Sequence, residues 1–373
     1  MKKIYKKLLK KLLIALSYRK NNVLIKEKVR QLIRKKKYKV FPVKDVKPII
    51  VNYPFYTKAD LLYLNFFYSI LNKPDANFIS LPIYYNVVEP VLNDIKQLRG
   101  IKDKNYLNIL FPSVKTPATV LRKMNYAFYD KDFNTLELDS KTLNNLLDCL
   151  SVDLILKPSN DSGAGKSIKL FSKERGKYFD RNGLELDLSL LMSYPDFIIQ
   201  EVVRQHNFFS QFNQDSNNTV RILTYRSIKN NCVSVLHRLL RVGSKGNFLD
   251  HDNLGGIAVG ISDSHMLNSF GYSQFGDEFG IFNGILFDSI GNVPFIDKME
   301  AVACDLAKKV IYGRILAFDF TVDIDGNVLL IEINAWRNGI SQYQMNNGSV
   351  FGSYTKEVLD FCYKKQSDLV ITI

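Results

Sequence analysis

Residues Ile315–Trp336 read ILAFDFTVDIDGNVLLIEINAW, and this stretch decides the fold. Two runs of β-branched and aromatic residues flank Asp325-Gly326, a dipeptide that favours the tight turn of a β-hairpin. With those residues in a two-residue turn, Phe318 faces Ile333, Phe320 faces Ile331 and Val322 faces Leu329, so one face is continuously apolar. The other face pairs Asp319 with Glu332 and Ala317 with Asn334, and side-chain alternation keeps Glu332 and Asn334 together. Directly opposed carboxylates, with Cβ atoms about 4.5–5.5 Å apart, repel each other. A proton or a cation between them relieves that repulsion. Asp, Glu and Asn supply hard oxygen donors, and Mg2+ takes one or two carboxylates together with substrate phosphates. The alternative is a hydrated pair on an edge hairpin, and a slip of one residue in register would remove the cation reading.

Working outward, Val152–Ile168 reads VDLILKPSNDSGAGKSI. A buried strand around Leu154, Ile155 and Leu156 ends at Lys157, and a loop with Gly163 and Gly165 follows. Glycines let backbone N–H groups close on phosphate oxygens, and a lysine at a strand end adds a point charge. The segment is not a Walker loop, because Asn160 stands where that motif requires glycine. An ordinary turn remains the alternative.

The rest of the chain alternates helical and strand patterns without an internal repeat. Helices are expected over Asp60–Leu71, Tyr84–Arg99 and Pro294–Tyr312, with a basic-polar loop at Gly100–Tyr106. Strands are expected at Asp153–Lys157, Phe197–Val203, Thr219–Ser227, Val233–Val242, Ile315–Asp323 and Asn327–Asn334. The alternation, with antiparallel signals late in the chain, predicts an α+β or mixed α/β fold. Three segments follow: a basic tail over 1–40, an N-terminal α/β region over 41–150 and a β-rich core over 151–373.

The formal charge of +14 over 373 residues is concentrated in one place. Residues 1–40 carry 13 Lys and 3 Arg against Glu27 alone, whereas the remainder holds 35 basic and 36 acidic side chains. The body is therefore an ordinary near-neutral globule, and nucleic acid is not an expected partner. In Met1–Lys20, Ile4, Leu8, Leu12 and Leu16 form a stripe opposite lysines, the pattern of an amphipathic helix on an anionic membrane surface. A solvated tail or a nucleic-acid arm are the alternatives, the second disfavoured by the lack of interleaved aromatic residues. No apolar run reaches the roughly eighteen residues of a bilayer-spanning helix. Cys149, Cys232, Cys304 and Cys362 show no metal spacing and are expected to be reduced, buried and cytosolic.

Taken together, these segments resemble the ATP-grasp superfamily. The order is Asp103-Lys104 before Pro117, then Lys157-Pro158 with Ser162-Gly163-Ala164-Gly165, then Ile198–Val203 with Glu201, then Asp319 with Glu332-Ile333-Asn334. Asn218-Thr219-Val220-Arg221, Asp252-Asn253 with Gly255-Gly256, Val293-Pro294-Phe295 and the Gln342 region make the chain most similar to sugar-transfer-associated ATP-grasp proteins. The resemblance implies two α+β subdomains clasping ATP. It assigns the ATP phosphates to Lys104, Lys157 and the Ser162, Gly163 and Gly165 loop. It assigns adenine to Glu201 and the Val203 backbone, Mg2+ (two ions, with Mn2+ as a substitute) to Asp319, Glu332 and Asn334, and the reacting phosphate to Arg221. Ribose falls to one of Gln205, His206 and Asn207. Arg221 and Lys157 would be the catalytic pair. The implied activity is a carboxylate–amine ligase that joins an amino acid or similar group to a polysaccharide or lipid-linked sugar precursor. A cytoplasmic place, peripheral on the inner membrane face through residues 1–20, accompanies it. Other readings are a ligase acting on a protein or peptide, and a membrane- or nucleic-acid-binding protein without catalysis.

Overall fold

The computed structural model describes residues 48–56, 58–72, 75–160, 167–250 and 254–365. The 1–40 tail, Ser162, Gly163, Gly165 and Asp252-Asn253 lie outside the described residues.

Strands β1 Thr119–Met124, β2 Ala127–Tyr129, β3 Thr135–Leu136, β4 Leu154–Pro158, β5 Lys169–Glu174, β6 Lys177–Asp180 and β7 Phe197–Glu201 make a seven-stranded sheet ordered β3-β2-β1-β7-β4-β5-β6. This first sheet takes strands from both sides of residue 150. Strands β8 Val220–Arg226, β9 Val233–Val242, β10 Ile257–Ile261, β11 Leu267–Tyr272 and β12 Glu278–Phe279 begin a second sheet. A small hairpin, β13 Ile281–Phe282 with β14 Ile285–Leu286, stands apart from it. Strands β15 Ile315–Val322 and β16 Val328–Asn334 complete the second sheet in the order β12-β11-β10-β9-β8-β15-β16. Neighbouring strands run antiparallel, as in β4 with β7 and β8 with β15.

Alternation along β15 explains how both faces of the second sheet are filled. Leu316, Phe318 and Phe320 join a core with Val220, Ile222, Leu240 and the inward residues Met299, Ala303 and Leu306 of the helix Ile296–Lys309. Ile315 and Ala317 point the other way, against a second core built with Leu64 and Phe67 of the helix Lys58–Leu71 and Val358 of the helix Thr355–Lys365. All eight residues of β15 are buried, so Asp319 is held in a covered strand and not on an edge. The first sheet has its own core, in which Leu154, Leu156 and Phe197 meet Leu143 and Leu147 of the helix Ser140–Asp148. Lys157 stands on the opposite face of β4 from Leu154 and Leu156.

The hairpin differs from its expected form in a way that preserves the important pairs. Its loop has three residues, because Asp323 donates to the Asn327 carbonyl and Gly326 closes the turn onto Asp323 in a left-handed conformation, φ +77°. That brings Phe320 opposite Leu330 and Val322 opposite Val328, one residue off the expected partners Ile331 and Leu329. A β-bulge at Ile331 then adds one residue to β16, and the register returns to Asp319 opposite Glu332, Phe318 opposite Ile333 and Ala317 opposite Asn334.

The expected helix Tyr84–Arg99 is broken at Asn93. That side chain instead donates to the carbonyls of Ile315 (2.7 Å) and Ala335 (2.6 Å) and accepts from the N–H groups of Arg314 and Ile315. Tertiary hydrogen bonds to the start of β15 and the end of β16 outweigh helix continuation here. The loop Gly100–Tyr106 forms two 3-10 turns, Arg99–Lys102 and Lys104–Tyr106. All four cysteines are free. Cys362 is buried, but Cys149 and Cys232 are exposed, which corrects the expected burial: they follow a helix end and a turn, where no core reaches them.

Candidate active site

Lys104 enters the site on the second of those 3-10 turns. Asp103 caps the turn by accepting from the Asn105 N–H (3.0 Å), and its other oxygen accepts from Asn160 Nδ2 (2.8 Å). The Lys104 N–H donates to the Ser159 carbonyl at 3.0 Å. Asn105 and the buried Arg122 fasten the turn to the first sheet: Asn105 Nδ2 donates to the Phe197 carbonyl (3.3 Å), and Arg122 Nη1 to the Asn105 carbonyl (3.1 Å). The segment carrying Lys104 is thus fixed to the end of β4, where Lys157 stands. Both lysines are buried, at 5% and 8% exposure. Burial, then the charge of Lys104, push the Lys157 ammonium down to about 7, opposed by the attraction of Glu332.

The second sheet supplies the acids. Asp319 faces Glu332 on one side and Arg221 on the other, all in register. Arg221 makes two parallel bonds to Asp319, Nε to Oδ1 and Nη2 to Oδ2, both 2.6 Å. Asn334 Nδ2 donates to Asp319 Oδ2 at 3.3 Å, which leaves the amide oxygen as a donor atom for a cation. Burial works against the Asp319 charge, yet Arg221 outweighs it and holds the carboxyl below its ordinary range. The same pairing holds Arg221 above its ordinary value despite burial. Glu332, about a quarter exposed, lies 3.5 Å from Lys104 Nζ. That contact brings Lys104, on its turn beside the end of β4, and the carboxylates of the second sheet into one site. Among the described residues no three of His, Cys, Asp and Glu stand together as a complete metal cage. Two carboxylates and an amide fit Mg2+ only with phosphate oxygens filling the remaining positions.

The other sequence-predicted residues are placed unevenly. Glu201 ends β7 opposite Leu154, so alternation puts its side chain on the core face, near the Tyr178 hydroxyl, and away from Lys157. Among the described residues the Val203 backbone, two residues beyond β7, makes no backbone–backbone hydrogen bond. Gln205 is used internally: its Nε2 donates to Asn217 Oδ1, the Asn218 carbonyl and Thr321 Oγ1, and its Oε1 accepts from Asn218. His206 Nδ1 accepts from the Phe208 N–H, and its ring meets Phe295 edge-on. Asn207 is exposed.

Several residues were given no role by the sequence, although Asn218 and Thr219 lie in a segment that carries the family resemblance. Asn218 is buried and ties the turn before β8 to the Phe209 and Asn213 carbonyls. Thr219 donates from both its N–H and its hydroxyl to Asp250. Arg241 lies between Asp250 and Asp319. Glu89, buried, accepts from the N–H groups of Arg337 and Asn338 (2.9 Å each) and so fixes the chain just beyond Asn334. Burial raises the Glu89 carboxyl to about 7, the two backbone bonds opposing. Arg241 had one available signal, a basic residue on the same face of an apolar strand as Leu239.

Two antiparallel sheets, one presenting lysines and the other an Asp–Glu hairpin, define the ATP-grasp class. More narrowly, the chain belongs to the sugar-transfer-associated ATP-grasp family, whose profile matches residues 87–359. No curated protein matches the chain. Among solved structures it is similar to an L-amino acid ligase from Bacillus licheniformis, at 16% identity and TM-score 0.40 over 70% of this chain and 48% of that one. It is similar to the D-alanine-D-alanine ligase from Coxiella burnetii at 10% identity and TM-score 0.39, over 74% and 60%. The biotin carboxylase domain of the Hydrogenobacter thermophilus 2-oxoglutarate carboxylase gives 13% identity and TM-score 0.40, over 70% and 45%. The chain thus spans between 45% and 60% of the length of these structures. No helix among the described residues is long and apolar enough to cross a membrane.

Proposed function

We infer that the protein is an ATP- and Mg2+-dependent ligase that joins a carboxylate to an amine through an acylphosphate. The observation that carries this reading is the Lys104–Glu332 contact of 3.5 Å, which sets Lys104, on a turn fastened to the end of β4, and the neighbouring Lys157 against the Asp319–Glu332–Asn334 hairpin of the second sheet. Lys104 and Lys157 hold the ATP phosphates, a role the family resemblance extends to Ser162, Gly163 and Gly165, which lie outside the described residues. The Val203 backbone meets adenine. Asp319, Glu332 and Asn334 hold Mg2+, which when bound neutralises charge on the phosphate oxygens. Arg221 sits near the reacting phosphate and helps to neutralise its charge. The substrate carboxylate oxygen attacks the γ-phosphorus, the bond to the ADP oxygen breaks, and an amine then displaces phosphate to leave an amide. Positioning and charge do this work, so no nucleophilic side chain is needed.

Family membership supports a glycan or lipid-linked sugar as one partner and an amino acid or similar amine as the other. The basic stretch 1–20 would hold the enzyme peripherally on an anionic membrane surface, on its cytoplasmic side. The activity is tested by ADP release with a uronic-acid sugar and a panel of amines. Release that needs both supports the reading; release that needs a peptide instead supports a peptide ligase. Flotation of the full chain with anionic liposomes, lost on deleting residues 1–40, tests the membrane contact.

A further inference from the structure

The helix Ile296–Lys309 ends on Lys308-Lys309, and the loop 310–313 that follows leads through Arg314 into β15. In this loop Ile311 and Tyr312 stand 69% and 57% exposed, and among the described residues no other aliphatic side chain is as exposed as Ile311. The loop backbone is held from two sides. The Asp94 N–H donates to the Tyr312 carbonyl at 2.9 Å, and Arg226 Nη2 donates to the carbonyls of Ile311 and Gly313. Arg314 Nη1 donates in turn to the Arg226 and Ser227 carbonyls, so two guanidiniums sit together at the base of the loop. Burial, then the charge of Arg314, hold Arg226 below its ordinary value. Lys309 pairs with Asp305 at 2.6 Å, but neither arginine makes an ion pair among the described residues. Segments 94–99 and 305–314, taken with Arg226, carry six basic side chains (Lys96, Arg99, Arg226, Lys308, Lys309 and Arg314) against Asp94 and Asp305, a local balance of +4. Residues 41–373 as a whole balance at −1, so the surplus is a property of this face. Lys96, Arg99, Lys308 and Lys309 are exposed beside the two apolar side chains.

We propose that Ile311 and Tyr312 insert into the interface of an anionic lipid bilayer while the basic side chains around them meet its headgroups, so that a face of the body as well as residues 1–20 contacts the membrane. The proposal extends the membrane contact of the tail and rests on it for the kind of surface. An aliphatic side chain reaches the acyl boundary and a tyrosine settles at headgroup level, and lysines and arginines gain from anionic lipid. A nucleic acid fits less well, because Ile311 offers no ring on which a base can stack. A second copy of the chain would set like charge against like charge. The loop leads directly into β15, so a surface held there lies at the open end of the hairpin, nearer Asn334 than the turn at Gly326. A lipid-linked sugar would be presented at that end.

The test uses the full chain and vesicles of mixed phosphatidylserine and phosphatidylcholine whose acyl chains carry bromine, a quencher of indole emission. Tyr312→Trp adds one indole to that of Trp336, and Tyr126→Trp places a comparison probe at an 88% exposed site on the turn between β1 and β2. With the chain bound, the added emission of Tyr312→Trp should be quenched and that of Tyr126→Trp should not. In sedimentation with the same vesicles, Lys96→Gln combined with Lys308→Gln should weaken binding about 25-fold, two charges at about fivefold each. Ile311→Ser should weaken it about tenfold. A bound chain with neither probe quenched, or with both quenched alike, overturns this face and leaves the tail contact standing. Unchanged affinity in both sets of variants overturns it as well. If the full chain fails to bind the vesicles, both membrane contacts fall. If a DNA duplex then shifts the Tyr312→Trp emission, the partner is a nucleic acid.

Discussion

Binding of ATP at mildly alkaline pH should draw nearly one proton from solution onto Lys157. The ammonium is buried beside Lys104, and its descent from 10.5 to about 7 corresponds to roughly 5 kcal/mol of disfavoured charge. Between those two values the unfolded chain binds the proton and the empty site does not. Folding is therefore penalised most below pH 7, and the penalty is relieved as pH rises toward 10.5. Phosphate oxygens placed against the lysine supply the missing counter-charge and restore its affinity for the proton. At pH 8 the empty site holds about 0.1 proton on Lys157 and the ATP complex nearly one, so uptake is about 0.9. At pH 6 it falls to about 0.1. Calorimetric titration of ATP in buffers of different ionisation enthalpy measures this number directly. Lys157→Arg, charged throughout, should show none of the uptake at pH 8. A wild-type binding heat independent of buffer at pH 8 would refute the reasoning.

Asp319→Asn should cost about 3–5 kcal/mol in urea denaturation, because Arg221 loses the partner of a buried pair, while the part-exposed Glu332→Gln should cost under about 1 kcal/mol. Both should abolish ADP release, and full activity in either would make the hairpin merely structural. Glu89 takes a proton at higher pH folded than unfolded, so wild-type stability should fall relative to Glu89→Gln by up to about 3 kcal/mol as pH rises from 4.5 to above 7. Parallel stability–pH curves would contradict that assignment. Gly326→Ala forces an L side chain into φ +77° with its Cβ 3.3 Å from the Phe295 ring, and should lose about 1–2 kcal/mol in the same assay.

What the sequence disclosed, and what it withheld, divides along physical lines. Alternating strands and a turn dipeptide located β15 and β16, and opposed carboxylates pointed to the site, because periodicity and charge are local properties. The three-residue turn and the Ile331 bulge were invisible, and the pairing of Asp319 with Glu332 survived because the two displacements cancel. The break at Asn93 depends on four backbone groups more than two hundred residues away, which no local propensity encodes. Glu201 was picked by motif order, but the parity of its position on β7 turned its carboxylate toward Tyr178. Arg241 and Asp250 become part of the site only when β9 is laid beside β8, since neither carries a local motif.

The central claim is that one divalent cation is shared by Asp319 and Glu332 beneath the phosphates held by Lys104 and Lys157. A crystal structure with Mn2+ and a non-hydrolysable ATP analogue, read from the anomalous signal of the metal, tests it most directly. A peak bonded to oxygens of both carboxylates and of the phosphates is the predicted result. Nucleotide bound with no metal at that pair, or with its phosphates away from the two lysines, would contradict it.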